Sequence, residues 1–310
     1  MIIMEDNQEE VRTDFNNSEV DSEKSQEAPK KRKTGKKGKR VIPGFGLSMG
    51  IVLAMLSIII LIPLASVLGY AFRLKPADFV KILSDSTVQW AFFTSIWTAF
   101  VAAVINVVFG TILAWVLVRY DFPGKRIIDG LIEVPFTLPT AVAGITLSKM
   151  YSTTGEIGKP LSKLGLKVSY THLGLIVALV FIGIPFVVRA IQPVLEKFDS
   201  QYEEAAYMLG ATSRTTFTRV ILPELRPAMI TGFGLAFARG IGEYGSVIYI
   251  SGNSAKEHTQ VVSYIIMQKL ERLDYSGATA IALIMLIISF LLLLFINIVQ
   301  VRQSRRTNNI

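Results

Sequence analysis

The sequence predicts an all-α polytopic membrane protein with six transmembrane helices. Of its 310 residues 51% are hydrophobic and only 18% charged, a balance too apolar for an ordinary soluble domain. The charge is concentrated outside long apolar runs, one of which, Ser86 to Val118, contains none. Each run is long enough for the roughly 20 residues, about 30 Å of helix, that a bilayer core demands. The formal net charge of +8 does not argue for nucleic-acid binding, because the basic residues cluster at the ends of apolar segments, where membrane topology explains them. Cysteine is absent and the two histidines, His172 and His258, are isolated, so neither disulfides nor a metal centre is expected.

Residues 1–46 read as a tail. Positions 1–29 hold nine acidic residues against Arg12 and Lys24, with too little apolar material to offset chain entropy, and disorder is expected there. Lys30 to Arg40, KKRKTGKKGKR, is a basic block that holds the N-terminus on the cytoplasmic side and can meet anionic headgroups. The apolar stretch from Leu47 is too long and too far from Met1 for a cleaved signal peptide.

The spans run from Leu47 to Phe72, within Ser86 to Val118, from Ile127 to Ser148, Val168 to Val188, Pro227 to Ile250, and Tyr275 to Val301. Residues 47–301 therefore form the membrane domain and 302–310 a short C-terminal tail. With the N-terminus inside, cytoplasmic segments from the basic block onward hold nineteen lysines and arginines and outside loops ten, so both termini are expected in the cytoplasm.

Four crossings place Tyr202 to Pro223, YEEAAYMLGATSRTTFTRVILP, inside as well. This polar island reads as two short helices. Tyr202, Ala205, Ala206 and Leu209 share one face, and Glu203 and Glu204 stand in the first turn, where a helix N-terminus favours negative charge. Gly210 supplies a left-handed break, and Thr212 or Ser213 can cap a second helix bearing Phe217, Val220 and Ile221, which Pro223 would close. The island is too short and polar to cross a bilayer. It fits a docking element for another protein, or an amphipathic connector lying on the membrane.

Two spans carry unusual residues. Span three contains EVPFTLPTAVAG, where Pro135 and Pro139 predict a kinked helix, whether lining a pore or tolerated for packing. In span five Gly234, Ala238, Gly242 and Ser246 recur every four residues, a small stripe along which another helix can approach. Arg239 and Glu243 stand on the adjacent row, one turn apart. Charges at that depth face a bundle interior or a wet cavity, so Arg239, Glu243, Gly242 and Ser246 are candidates for a substrate pathway, with mutual neutralisation of Arg239 and Glu243 the competing reading. No phosphate loop of the form G-x-x-x-x-G-K-[ST] exists; GEIGKP from Gly155 lacks the spacing and the hydroxyl residue. No catalytic residues are expected in this chain.

Glu204-Ala205-Ala206, then Gly210, then Val220-Ile221-Leu222-Pro223 resembles the "EAA" loop of binding-protein-dependent ABC importer permeases, departing from it only in Val220. VPFTLPTAVAG from Val134, IPFVVRAIQPVLE from Ile184 and ARGIGEYGSVIYISGN from Ala238 resemble the T-type permeases of sulfate/thiosulfate importers, over about residues 47–301. The resemblance implies the type I importer permease fold with a cytoplasmic coupling helix within 202–223, between spans four and five. It implies Glu204, Ala205, Ala206 and Gly210 as coupling residues, with Leu222 and Pro223 shaping the loop's end. It further implies cytoplasmic ATPase subunits that hold ATP and magnesium, a second permease chain (W-type or another copy) and an extracytoplasmic sulfate-binding protein. No cofactor is implied in this chain itself.

Three rivals differ in what they require. A molybdate, tungstate or phosphonate permease would share this architecture, because specificity in such importers lies largely in the binding protein. An ion-driven secondary transporter would need no coupling loop and would often show an internal repeat. A membrane enzyme or scaffold would leave Arg239, Glu243 and the prolines of span three without a purpose.

Overall fold

The computed structural model describes residues 45–307, with side chains to Arg302; the expectations for residues 1–44 and 308–310 lie outside the described residues. The described residues divide between Leu53 and Ala54 into two units. The described part of the first is helical throughout, so Phe45 and Gly46 belong to a helix and not to the tail.

The described residues are helical apart from short connections. Helix α1 (Phe45–Ala71) is apolar on nearly every side and exposes Ile51, Leu53, Ile58, Ile59 and Ile62, as a lipid-facing span would. A π turn at Ser57–Leu61 widens it just before Pro63, whose ring would otherwise press on the preceding turn. Helix α2 (Ser86–Arg119) starts at Asp85, whose carboxylate accepts from the Thr87 N–H at 2.8 Å. Its 34 residues extend about 51 Å, well past a 30 Å bilayer core.

Span three departs from a single kinked helix. Helix α3 (Lys125–Thr137) and helix α4 (Thr140–Met150) meet at 112°. Leu138 is extended, as a residue before proline must tend to be, and Pro139 begins the new direction. Pro135, by contrast, is accommodated inside α3.

Helix α5 (His172–Lys197) lies at the centre of the second unit, against α2 and against helix α7 (Ser213–Ile241). Small residues permit that closeness. A Cβ on Gly110 would come within 2.8 Å of Val187, one on Gly232 within 2.9 Å of the Val187 Cα, and one on Gly183 within 2.2 Å of Asn106. Leu175, Val187, Ile191, Leu195 and Leu225 are fully buried where these helices meet.

Between α5 and α7 lies the short helix α6 (Gln201–Met208). Helix α8 (Gly245–Ile250) follows α7, and α9 (Val262–Glu271) leads to α10 (Tyr275–Thr307). Asp274 caps α10 by accepting from the Gly277 N–H at 2.8 Å, and Lys269 at 2.9 Å helps hold its carboxyl below the usual range. Among the described residues five helices are long and apolar enough to span a membrane, or six if α3 and α4 count as one broken span.

Candidate functional site

Two places collect the residues that the sequence singles out: the α6 loop, and the breaks that end α3 and α7. Helix α6 ends where the sequence places its glycine. Gly210 has φ +80°, its N–H donates to Tyr207 O at 2.9 Å, and the Ala211 N–H donates to Ala206 O at 3.0 Å. This paired closure satisfies carbonyls that the helix end would leave bare and turns the chain toward α7. Thr212 then caps α7, its hydroxyl accepting from the Thr215 N–H at 3.3 Å.

The second helix of the island does not stop at Pro223. It continues through a π turn at Phe217–Ile221, and Leu222 and Pro223 sit half-buried within the span that runs to Ile241. The π turn shifts the hydrogen-bond register just where proline lacks an N–H, so the proline is absorbed and does not close the helix. The loop is thus built rigidly onto the base of a span.

Its two glutamates differ in their surroundings. Glu203 pairs with Arg119 at the end of α2; both side chains are mostly buried, and the guanidinium also lies over Trp115 at 5.3 Å and Phe198 at 5.9 Å. Trp115 in turn meets Phe217 edge to face at 5.3 Å. Glu204 and Ala205 are exposed and Ala206 is half-buried. Beside them Tyr202, Tyr207, Met208 and Leu209 present their side chains outward, Met208 and Leu209 at 89% and 90% exposure. An apolar tip this open, on a well-anchored helix, is the kind of surface that another protein covers.

The second place lies along α7. Its helix ends at Ile241, with Gly242, Glu243 and Tyr244 outside helical structure, so the four-residue stripe does not run on into Ser246 as one helical face. Gly234 packs on Ile296 of α10, Gly242 faces open space, and Ser246 lies on α8. The physical reason is the glycine-rich G-I-G-E-Y-G run, whose low helix propensity ends α7. Here α8 crosses α4 backbone to backbone: a Cβ on Gly144 would fall 2.3 Å from Ser246 O, and one on Gly245 2.2 Å from Thr140 Oγ1. The two broken elements therefore touch at their breaks.

Arg239, Glu243 and Ser246 do come together. Glu243 is 3% exposed; its Oε2 pairs with Arg239, and its Oε1 accepts from the Ser246 N–H at 3.0 Å and the Ser246 hydroxyl at 3.1 Å. Its carbonyl accepts from the Ser263 hydroxyl at 2.7 Å, which fastens the break to α9. The Arg239 side chain is 37% exposed and keeps N–H groups not used by Glu243. A buried carboxylate and a half-exposed guanidinium form a pair that is neutral inside and cationic at its open edge.

Sequence reasoning missed the ion pairs that tie helices distant in sequence. Besides Arg119 with Glu203, Arg189 on α5 pairs with Asp129 at 2.9 Å and Glu133 at 2.6 Å, both on α3. Glu133 thus joins α3 to α5. Among the described residues no group of three or more histidine, aspartate or glutamate side chains is placed to hold a metal ion.

The family model for the binding-protein-dependent transport system inner membrane component matches residues 106–309, which takes in the α6 loop, both breaks and four of the spanning elements. The chain belongs to this family. The sulfate transport system permease protein CysT of Escherichia coli (strain K12) is similar to it, 46% identical over 268 residues that cover 86% of this chain and 96% of that protein. CysT of Synechocystis sp. (strain ATCC 27184 / PCC 6803 / Kazusa) is 40% identical over 259 residues, covering 84% and 90%. Among solved structures, a chain of a bacterial ABC transporter involved in the import of the acidic polysaccharide alginate superposes with a TM-score of 0.70 at 17% identity, covering 84% of this chain and 96% of that one. An amino acid ABC transporter gives 0.52 at 18% identity, covering 74% and 99%. At these identities the superpositions bear on the fold, which is that of type I importer permeases.

Proposed function

We propose that this chain is the permease subunit of an ATP-driven importer that carries sulfate, and thiosulfate with it, into the cell by alternating access. The observation that carries this reading is the 46% identity to a sulfate permease along nearly the whole of both chains. The α6 loop supports the ATP-driven part, since its exposed Tyr207, Met208 and Leu209 suit a cleft on a cytoplasmic ATPase subunit that holds ATP and magnesium. Glu204, Ala205, Ala206 and Gly210 are assigned to that contact, and Leu222 and Pro223 to its attachment to α7.

The remaining parts of the assembly are a second permease chain, W-type or another copy, and an extracytoplasmic binding protein that delivers the anion. The excess of lysine and arginine on the loop side supports a placement in the cytoplasmic membrane with both termini inside. Alternating access would proceed by movement of α3–α4 and α7–α8, the elements already broken at the point where they cross. Arg239 is assigned to the anion's path, with Glu243 holding it in place between passages.

Uptake of labelled sulfate by vesicles carrying the assembled complex tests this. Uptake that needs ATP and is competed by thiosulfate but not by molybdate is the expected result. Competition by molybdate alone would replace sulfate with another oxyanion, and uptake that follows an ion gradient without ATP would overturn the importer reading.

A further inference from the structure

Arg226 lies on the outer side of α7 and is exposed, and among the described residues no carboxylate pairs with it. With Met229 and Phe233 it forms one stripe on α7, facing Val104 and Val108 of α2 across a groove of about 300 Å³. The groove wall is almost wholly apolar, Arg226 bordering it through its methylene stem, and Val104 and Val108 remain 42% and 52% exposed.

The depth of this groove follows from a hydrogen bond between spans. Gln300 of α10 donates through Nε2 to Thr231 Oγ1 at 2.6 Å, and Arg302, where the apolar run of α10 ends, follows two residues later. Arg226 precedes Thr231 by five residues on the antiparallel α7, which at 1.5 Å per residue puts it about 7.5 Å nearer the α6 loop. That is the headgroup level of the leaflet on the loop side. From there the groove rises into the hydrocarbon.

We propose that this groove is a binding site for an anionic phospholipid of that leaflet, with its phosphate on Arg226 and an acyl chain between Val104, Val108, Met229 and Phe233. The charge argument selects this occupant. A cation at headgroup depth with no carboxylate partner attracts an anionic headgroup, and an apolar channel directly above it matches the chain that such a headgroup carries. The space takes a stretch of acyl chain and not a helix about 10–12 Å across. The proposal rests on the membrane placement of these helices and not on the identity of the transported anion, so it stands or falls separately from sulfate transport.

Because the sequence lacks cysteine, Val108→Cys gives this chain a single thiol, to which a bimane label is attached before the chain is assembled with its partners. The probes are phosphatidylcholine vesicles containing graded brominated phosphatidylglycerol or brominated phosphatidylcholine, which quench the label on contact. Half-maximal quenching is expected at a mole fraction about fivefold lower for phosphatidylglycerol, the ratio that corresponds to roughly 1 kcal/mol. Arg226→Gln should bring the two lipids level and Arg226→Lys should restore most of the preference, while millimolar inorganic phosphate leaves it unchanged. Equal quenching with Arg226 intact, a measurement that needs no change at that residue, would overturn the proposal. So would displacement by free phosphate, or protection from both lipids, which would mean that a second polypeptide covers the groove.

Discussion

Arg119 and Glu203 join the end of a 34-residue spanning helix to the loop that precedes α7, across 84 positions of sequence. The guanidinium is enclosed by Trp115, Phe198 and the carboxylate, so a displacement of α6 is delivered to α2 as well as to α7. Replacing Glu203 alone leaves a largely buried cation without its partner. Glu203→Gln and Arg119→Gln should each lower sulfate uptake per ATP hydrolysed. The double variant should lose less than the two singles combined, with an interaction energy of about 1–2 kcal/mol. Additive losses in the double-mutant cycle would show that the pair does not act as a unit.

Gly210 can be tested without steric confusion, because a Cβ there meets nothing within 4 Å. Only its φ of +80° resists substitution, at about 1–2 kcal/mol for an L residue. Gly210→Ala should therefore insert normally yet reorient α6, and ATP hydrolysis by the complex should no longer track uptake. Glu204→Lys should have the same effect through the exposed face while leaving Arg119 and Glu203 paired. Normal uptake in both variants would remove these residues from coupling.

The crossing of α4 and α8 predicts a contrast between two glycines. Gly144→Ala would drive a methyl into the Ser246 backbone, which has nowhere to retreat without parting the helices. Gly242→Ala enters open space at an ordinary negative φ. The first should cut the yield of folded complex and lower its thermal midpoint by several degrees, roughly 1–3 kcal/mol of overpacking. The second should change neither. Equal thermal midpoints for the two would mean that the elements are less closely locked than their spacing requires.

Arg239 and Glu243 need a paired test because truncating one leaves the other's charge behind. Arg239→Ala strands a carboxylate that is 3% exposed, with only Ser246 donating to it, and should lower both folded yield and uptake. Arg239→Ala with Glu243→Gln removes the stranded charge and should recover yield. If Arg239 meets the passing anion, uptake stays low in the recovered protein. Restoration of uptake along with yield would make the pair structural.

The class of this protein and the position of its loop are legible in the order of its residues. Apolar runs of sufficient length can satisfy their backbone in lipid only as helices, and a glycine eight residues after Tyr202 can end α6 whatever surrounds it. That order also places Arg239 and Glu243 four residues apart, near enough along the chain to meet even though the helix ends between them. The tertiary structure decided what local geometry could not. Pro139 bends span three through 112°, whereas Pro223, with the same missing N–H, is absorbed by a π turn. The difference lies in the neighbouring helices: α4 packs against α8 in its new direction, and Ile221 and Leu225 stay buried in the core beside α5. Arg119 with Glu203, and Arg189 with Asp129 and Glu133, are equally beyond the reach of pattern. Such pairs form between helices distant in sequence, and only the packing of those helices decides which charges meet.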